Sequence, residues 1–196
     1  VNAGPRIAVF GGSFDPPHVG HVLLAAWALS AGGIDRLLVV PTFAHAFAKR
    51  SAPFEDRVAM ARLAFSLFDP ARVEVSDLES RLPPPSYTVR TLEAVQAAWP
   101  DASLRLLVGS DILADLPRWR EAERIEAIAP LLVGGRAGHA RDGAGRRVEE
   151  SVPSFPEVSS TEIRGLLAAG RRPAHLVPEP VLAHIVDRAL YAEGSP

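Results

Sequence analysis

Apolar residues fall in short unbroken runs, and these runs alternate with longer stretches in which apolar positions recur every three or four residues. The first run, residues 6–10 (RIAVF), ends at Gly11-Gly12, and residues 19–31 then have helical composition with Gly32-Gly33 as a stop. Residues 35–40 (DRLLVV) close on Pro41 and predict a buried strand, followed by a loop over 42–53 and an amphipathic helix over 54–68. The alternation then repeats. Strands are expected at 72–75, 104–108 and 130–134, helices at 87–99 and 118–128, and a strand-like stretch at 154–158 precedes a further helix start. Strand and helix in strict alternation predict a parallel sheet covered on both faces, with ligands beyond the carboxyl ends of the strands. Pro83-Pro84-Pro85 predicts a rigid extended connector, and the Gly- and Arg-rich stretch 134–150 an excursion from the sheet.

Length and composition narrow the class. At 196 residues the chain suits one domain spanning 1–196, and 47% hydrophobic with 22% charged residues is ordinary for a folded globular protein. A net charge of -2 supplies no field for nucleic acid or an anionic membrane, so neither is expected as a partner. Cysteine is absent, which excludes disulfide frameworks, thiol catalysis and cysteine-rich metal sites. No apolar stretch reaches the length of a membrane span and no charged leader with an apolar core is seen, so a cytoplasmic location is expected. The single lysine, Lys49, is followed by Arg50-Ser51 without the preceding glycines, so the phosphate loop of ordinary nucleoside triphosphatases is excluded.

Chemistry concentrates in Gly11-Gly12-Ser13-Phe14-Asp15-Pro16-Pro17-His18-Val19-Gly20-His21, between the first expected strand and helix. Gly11 and Gly12 let the backbone turn closely around a ligand, and Gly20 permits close approach in the first helical turn. His18 and His21, three apart, can meet one object, and a helix start with its unsatisfied N–H groups favours an anion such as a phosphate chain. Zinc would need three or four ligands, and the remaining histidines are scattered; no metal-ligating set is expected. The order G-G-S-F-D departs from the G-x-G-x-x-G of dinucleotide folds, so hydride transfer is not indicated. Ser159-Ser160-Thr161-Glu162-Ile163-Arg164 is a second helix start, with capping-box spacing between Ser159 and Glu162 and one turn between Ser160 and Arg164.

The first segment resembles the G-x-F-D-P-x-H-x-G-H signature of the HxGH nucleotidylyltransferase superfamily, and the second its S-S-T-x-x-R element. Within that superfamily, Ser86-Tyr87-Thr88 with Thr91-Leu92, Gly109-Ser110-Asp111, Leu116-Pro117-Arg118-Trp119 and the tail Leu176-Val177-Pro178 with Leu190-Tyr191 resemble the nicotinate mononucleotide adenylyltransferases. The resemblance runs nearly end to end and implies a Rossmann-like three-layer α/β fold with a parallel sheet and a helical C-terminal part. It implies adenylyl transfer from ATP, with Mg²⁺, to nicotinate mononucleotide, giving deamido-NAD and pyrophosphate. His18, His21 and Arg164 would be catalytic. Gly11, Gly12, Ser13, Phe14, Gly20, Ser159, Ser160 and Thr161 would join them on ATP. Asp15, His45, Lys49, Tyr87, Thr88, Gly109, Asp111 and Trp119 would hold the mononucleotide, with Asp111 on the ribose and Trp119 stacked on the pyridine ring.

Two elements depart from the pattern. The family's P-P-H-K element is replaced by Pro41 followed by residues 42–49, so His45 and Lys49 either serve the phosphates from altered positions or mark a divergent subgroup; the expected R-P-G reads Arg136-Ala137-Gly138. Two other functions stay open: adenylyl transfer to another phosphorylated acceptor such as nicotinamide mononucleotide or phosphopantetheine, and a catalytically silent nucleotide-binding regulator. A homo-oligomer is compatible with either.

Overall fold

The computed structural model describes residues 4–44, 51–135 and 155–192. Five parallel strands, β1 (Arg6–Gly12), β2 (Arg36–Pro41), β3 (Val73–Val75), β4 (Ser103–Gly109) and β5 (Leu131–Gly134), form one sheet in the order β3-β2-β1-β4-β5. The helices are α1 (Val19–Ser30), α2 (Phe54–Phe65), α3 (Thr88–Ala98), α4 (Ala122–Ile128), α5 (Ser160–Ala168) and α6 (Glu179–Asp187).

The strands are apolar on both faces because both faces are covered, and the two-residue period of a strand sorts their side chains into two cores. Ala8, Phe10, Leu37, Val39, Leu107 and Leu132 pack with α1, α2, α5 and α6. Ile7, Val9, Leu38, Val40, Leu104, Leu106 and Val108 pack with α3 and α4. This is the doubly wound arrangement that the alternation predicts. Chain order reverses between β1 and β4, so a crevice opens at their carboxyl ends, where β1 finishes in Gly11-Gly12 and β4 in Gly109. No helix of the described residues is long and apolar enough to cross a membrane.

Leu92 on α3 has no exposed surface and sits in the centre of the second core. Leu92→Ala is expected to destabilise the fold by about 2–5 kcal/mol, the range for a leucine deleted from a packed interior. Urea unfolding measures it, and a loss below about 1 kcal/mol would mean that α3 does not close that face.

Two expectations are corrected here. The helix expected over 118–128 is broken: Leu116–Arg118 is a single 3₁₀ turn, and α4 begins only at Ala122. Glu121 takes a left-handed backbone (φ 56°) that no helix interior accepts. Of the strand expected over 154–158, the described part makes one isolated bridge, where the Phe155 N–H donates to the Gly135 carbonyl at 3.1 Å; Pro156 has no N–H to extend it. The expected loop departures at His45 to Lys49 and at Arg136 to Gly138 lie outside the described residues, as does most of the 134–150 excursion.

Candidate active site

A cavity of about 590 Å³ lies at the carboxyl ends of β1, β4 and β5. Its wall includes Gly11, Gly12, Ser13, Gly20, His21, Tyr87, Thr88, Gly109, Asp111 and Trp119 of the sequence-derived set. Those residues come from β1, α1, the start of α3 and the segment after β4, so the fold brings part of each expected half to one opening, while His18, Ser159, Ser160, Thr161 and Arg164 are not in that wall. Glu79, Thr42, Arg120 and Phe155 also line it and were not singled out in the sequence. Glu79 is buried, its Oε2 accepting the Phe43 N–H at 3.0 Å and its Oε1 the Thr91 hydroxyl at 2.8 Å, so it ties the end of β2 to α3. Only its place between β3 and the Ser86-Tyr87-Thr88 motif could have pointed to it.

His18 is the N-cap of α1, in extended conformation, and is almost fully buried. Its ring lies 3.7 Å from that of His21 between centroids, tilted by 33°. The His18 main-chain N–H donates to His21 Nδ1 at 3.1 Å. Because Nδ1 is the acceptor, the proton of a neutral His21 ring sits on Nε2, leaving that nitrogen a donor. Gly20 lets the His18 ring lie close: a Cβ there would stand 3.1 Å from that ring, tighter than nine in ten real contacts, and the imidazole would have to shift.

Phe14 has no share in the cavity wall. It has a left-handed backbone (φ 47°) and drives its ring into the core, edge-on to Phe10 and Phe65. Asp15 is likewise fully buried behind the wall, with Oδ1 accepting the Tyr191 hydroxyl at 2.7 Å and the Ala52 N–H at 3.1 Å. The Ser159 hydroxyl caps α5 by accepting the Glu162 N–H at 3.1 Å, as the spacing predicts. The rest of that motif turns inward on the first one. Ser160 Oγ donates to the Pro16 carbonyl at 3.0 Å, and Arg164 Nη1 to the Asp15 carbonyl at 2.6 Å, while Arg164 Nη2 reaches Thr161 Oγ1 at 3.2 Å. Two sequence motifs far apart in the chain are therefore clasped together.

At the other end of the cavity, Trp119 is half-buried and Tyr87 is covered by two guanidinium groups, Arg90 at 5.2 Å and Arg120 at 4.7 Å from its ring centroid. The main-chain N–H groups of Arg118 and Trp119 are used within the 3₁₀ turn, donating to Asp115 and Leu116. Among the described residues no group of three His, Cys, Asp or Glu side chains is placed to hold a metal ion.

Comparison with known proteins agrees with this architecture. The cytidylyltransferase-like family model matches residues 9–166, a span that includes both clasped motifs. A curated protein of Anaeromyxobacter dehalogenans named "Probable nicotinate-nucleotide adenylyltransferase" is 41% identical over 192 residues, covering 97% of this chain and 99% of its own. A Myxococcus xanthus protein of the same name is 38% identical, covering 95% and 94%. The structure of the Plasmodium falciparum nicotinic acid mononucleotide adenylyltransferase complexed with NaAD superposes with a TM-score of 0.79 at 20% identity, covering 95% of this chain and 97% of that one, and so shares the fold.

Proposed function

This chain belongs to the cytidylyltransferase-like family, among the nicotinate-nucleotide adenylyltransferases, and we propose that it transfers the adenylyl group of ATP to nicotinate mononucleotide as one nucleotidylyltransferase domain in the cytoplasm. The observation that carries the reading is the cavity itself, with the His21 and Gly11-Gly12 wall at one end and Asp111, Tyr87 and Trp119 at the other. The first end suits a polyphosphate and the second a ribose with a flat ring.

An oxygen of the mononucleotide 5′-phosphate attacks the α-phosphorus of ATP; the new P–O bond forms as the bond to the bridging oxygen breaks, and pyrophosphate leaves with that electron pair. A phosphate monoester has a second pKa of about 6, so the nucleophile is largely dianionic at neutral pH and needs no general base. The protein's work is alignment and charge stabilisation. His21, through Nε2, and His18 at the mouth of α1 stabilise charge on the transferring phosphoryl group, and Arg164 takes the β- and γ-phosphates. Gly11, Gly12, Ser13 and Gly20 let the chain approach the nucleotide, while Asp111 takes the ribose hydroxyls and Trp119 stacks on the pyridine. Phe14, Asp15, Ser159, Ser160 and Thr161 support these groups from behind. Mg²⁺ would enter with ATP as part of the substrate and would lower the charge that these residues must meet.

Preference for the acid over the amide rests on charge at the ring substituent. With the N–H groups of Arg118 and Trp119 already used, the discriminating donors come from three residues that line the cavity, as the Thr88 hydroxyl, the Arg118 guanidinium beside Asp115 and the Arg120 guanidinium over the Tyr87 ring. A carboxylate pairs with a guanidinium and only accepts hydrogen bonds; a neutral amide does neither so well. Pyrophosphate release from ATP with nicotinate mononucleotide, nicotinamide mononucleotide and phosphopantetheine is the test, and kcat/KM should favour the first by about tenfold or more, since a charged pair adds at least 1.4 kcal/mol. Trp119→Ala should lower kcat/KM for both pyridine nucleotides by about tenfold and leave their ratio unchanged, because either ring stacks. Preference for the amide would overturn the acceptor assignment, and no release with any acceptor would favour the silent regulator.

A further inference from the structure

The C-terminal Leu190-Tyr191 pair stands apart from the cavity, yet its phenol reaches the first motif. Tyr191 follows α6, and its hydroxyl donates to Asp15 Oδ1 across 176 residues of sequence. Three separate parts of the chain meet on residue 15: the Ala52 N–H on Oδ1, Tyr191 on the same oxygen, and Arg164 Nη1 on the carbonyl, with that nitrogen also 3.6 Å from Oδ2. Buried Arg57 braces the same loop, its Nη1 donating to the Ser13 carbonyl at 2.9 Å and its Nε to the Ala52 carbonyl at 3.0 Å.

We propose that Tyr191 is a positioning residue for adenylyl transfer, holding the Asp15 carboxylate away from Arg164 so that the guanidinium stays aimed at the polyphosphate.

A buried carboxylate needs donors, and in this pocket the alternatives are few. Oδ1 is satisfied by Tyr191 and Ala52, while Oδ2 has only the ion-pair distance to Arg164. Take the phenol hydroxyl away and Oδ1 keeps only the Ala52 N–H; Arg57, which also feels the Asp15 charge, has donors committed to the Ser13 and Ala52 carbonyls, whereas Arg164, 3.6 Å from Oδ2, can close to charge-assisted hydrogen-bond distance. Arg164 would then be spent on Asp15. Burial, with the Asp15 carboxylate next in effect, pushes the Tyr191 phenol above its ordinary range, so it remains a donor throughout the pH range in which the enzyme works. The backbone is bent to bring it there: Ala189 (φ 49°) and Tyr191 (φ 62°) both take the left-handed conformation that side-chain-bearing residues seldom adopt. At Ala189 the turn is closed by the end of α6, with the Ala189 N–H donating to the Val186 carbonyl at 3.1 Å and the Leu190 N–H to the Ile185 carbonyl at 2.9 Å, and at Tyr191 the side chain is anchored by Asp15.

The inference rests on the assignment of Arg164 to the polyphosphate, and the experiment separates the two. Tyr191→Phe keeps the ring and removes one oxygen, so the folded state survives and a thermal melt monitors it. Steady-state kinetics should show kcat/KM for ATP lowered about fivefold to tenfold, as for loss of one hydrogen bond that orients a charged ligand, with KM for nicotinate mononucleotide within twofold of the parent. The same substitution made in the Arg164→Ala background should have no further effect on ATP, since the group it orients is gone. A general structural role would instead shift both KM values, or add in full to the Arg164→Ala loss, and either result overturns the proposal. Parent-like ATP kinetics in Tyr191→Phe overturns it as well. Parent-like ATP kinetics in Arg164→Ala itself would remove the assignment beneath it, and the proposal with it.

Discussion

Replacing His21 by alanine is expected to lower turnover by about a hundredfold or more while the fold is kept, the scale of losing one donor that meets charge developing in a transition state. His21 is the cleaner of the two histidines to test. His18 is 1% exposed and packed under Gly20, so its removal leaves a hole as well as a missing donor. His21 lines the cavity and is partly exposed. Alanine also deletes the Nδ1 acceptor that holds the His18 N–H at the head of α1, so some stability is lost with the activity. His21→Asn separates the two effects, because an asparagine oxygen can take the place of Nδ1 while nothing replaces Nε2. Its melting temperature should return toward the parent's and its turnover should stay low. Near-normal turnover in His21→Ala would sink the mechanism.

The sheet and its helices were legible because the forces that make them are local in sequence. Runs such as 37–40 are apolar without interruption since both sides of a doubly wound sheet are covered, and Gly or Pro closes every strand run but the three-residue β3, which Ser76-Asp77 follow. The cavity wall was legible for the same reason, since in this fold the residues just after a strand stand at its carboxyl end. What lay beyond the sequence was pairing at a distance. Nothing in the spacing of the first motif tells that Asp15 is closed off by a tyrosine near residue 190, or that Ser160 and Arg164 donate to carbonyls of the first motif. Such partners are set by the path of α5 and α6 over α1 and α2. Glu79 was missed likewise: a lone carboxylate after a three-residue strand looks like surface until its two partners are seen.

Arg164→Ala should weaken ATP binding by about thirtyfold to a hundredfold, the 2–3 kcal/mol of a hydrogen bond between charged groups, and leave mononucleotide binding within a factor of about three. The asymmetry follows from placement. Arg164 belongs to α5, clasped to the Asp15–Pro16 end of the first motif, while Asp111 and Trp119 belong to the segment after β4. Two of the five guanidinium donors are used, one on the Asp15 carbonyl and one on Thr161, and the side chain keeps 22% of its surface exposed. A brace with no other duty would have the opposite signature. Its loss would lower the melting temperature, because the Asp15 carbonyl loses its donor, and would leave ATP affinity untouched. Calorimetric titration of the variant with a non-hydrolysable ATP analogue and with nicotinate mononucleotide, set beside its thermal melt, distinguishes the two. Arg164→Lys sharpens the comparison: it restores the charge without the fork that spans Asp15 and Thr161, so it should recover only part of the ATP affinity. Full recovery by lysine would mean that charge alone matters, and the clasp between the two motifs would then lose its place in the mechanism.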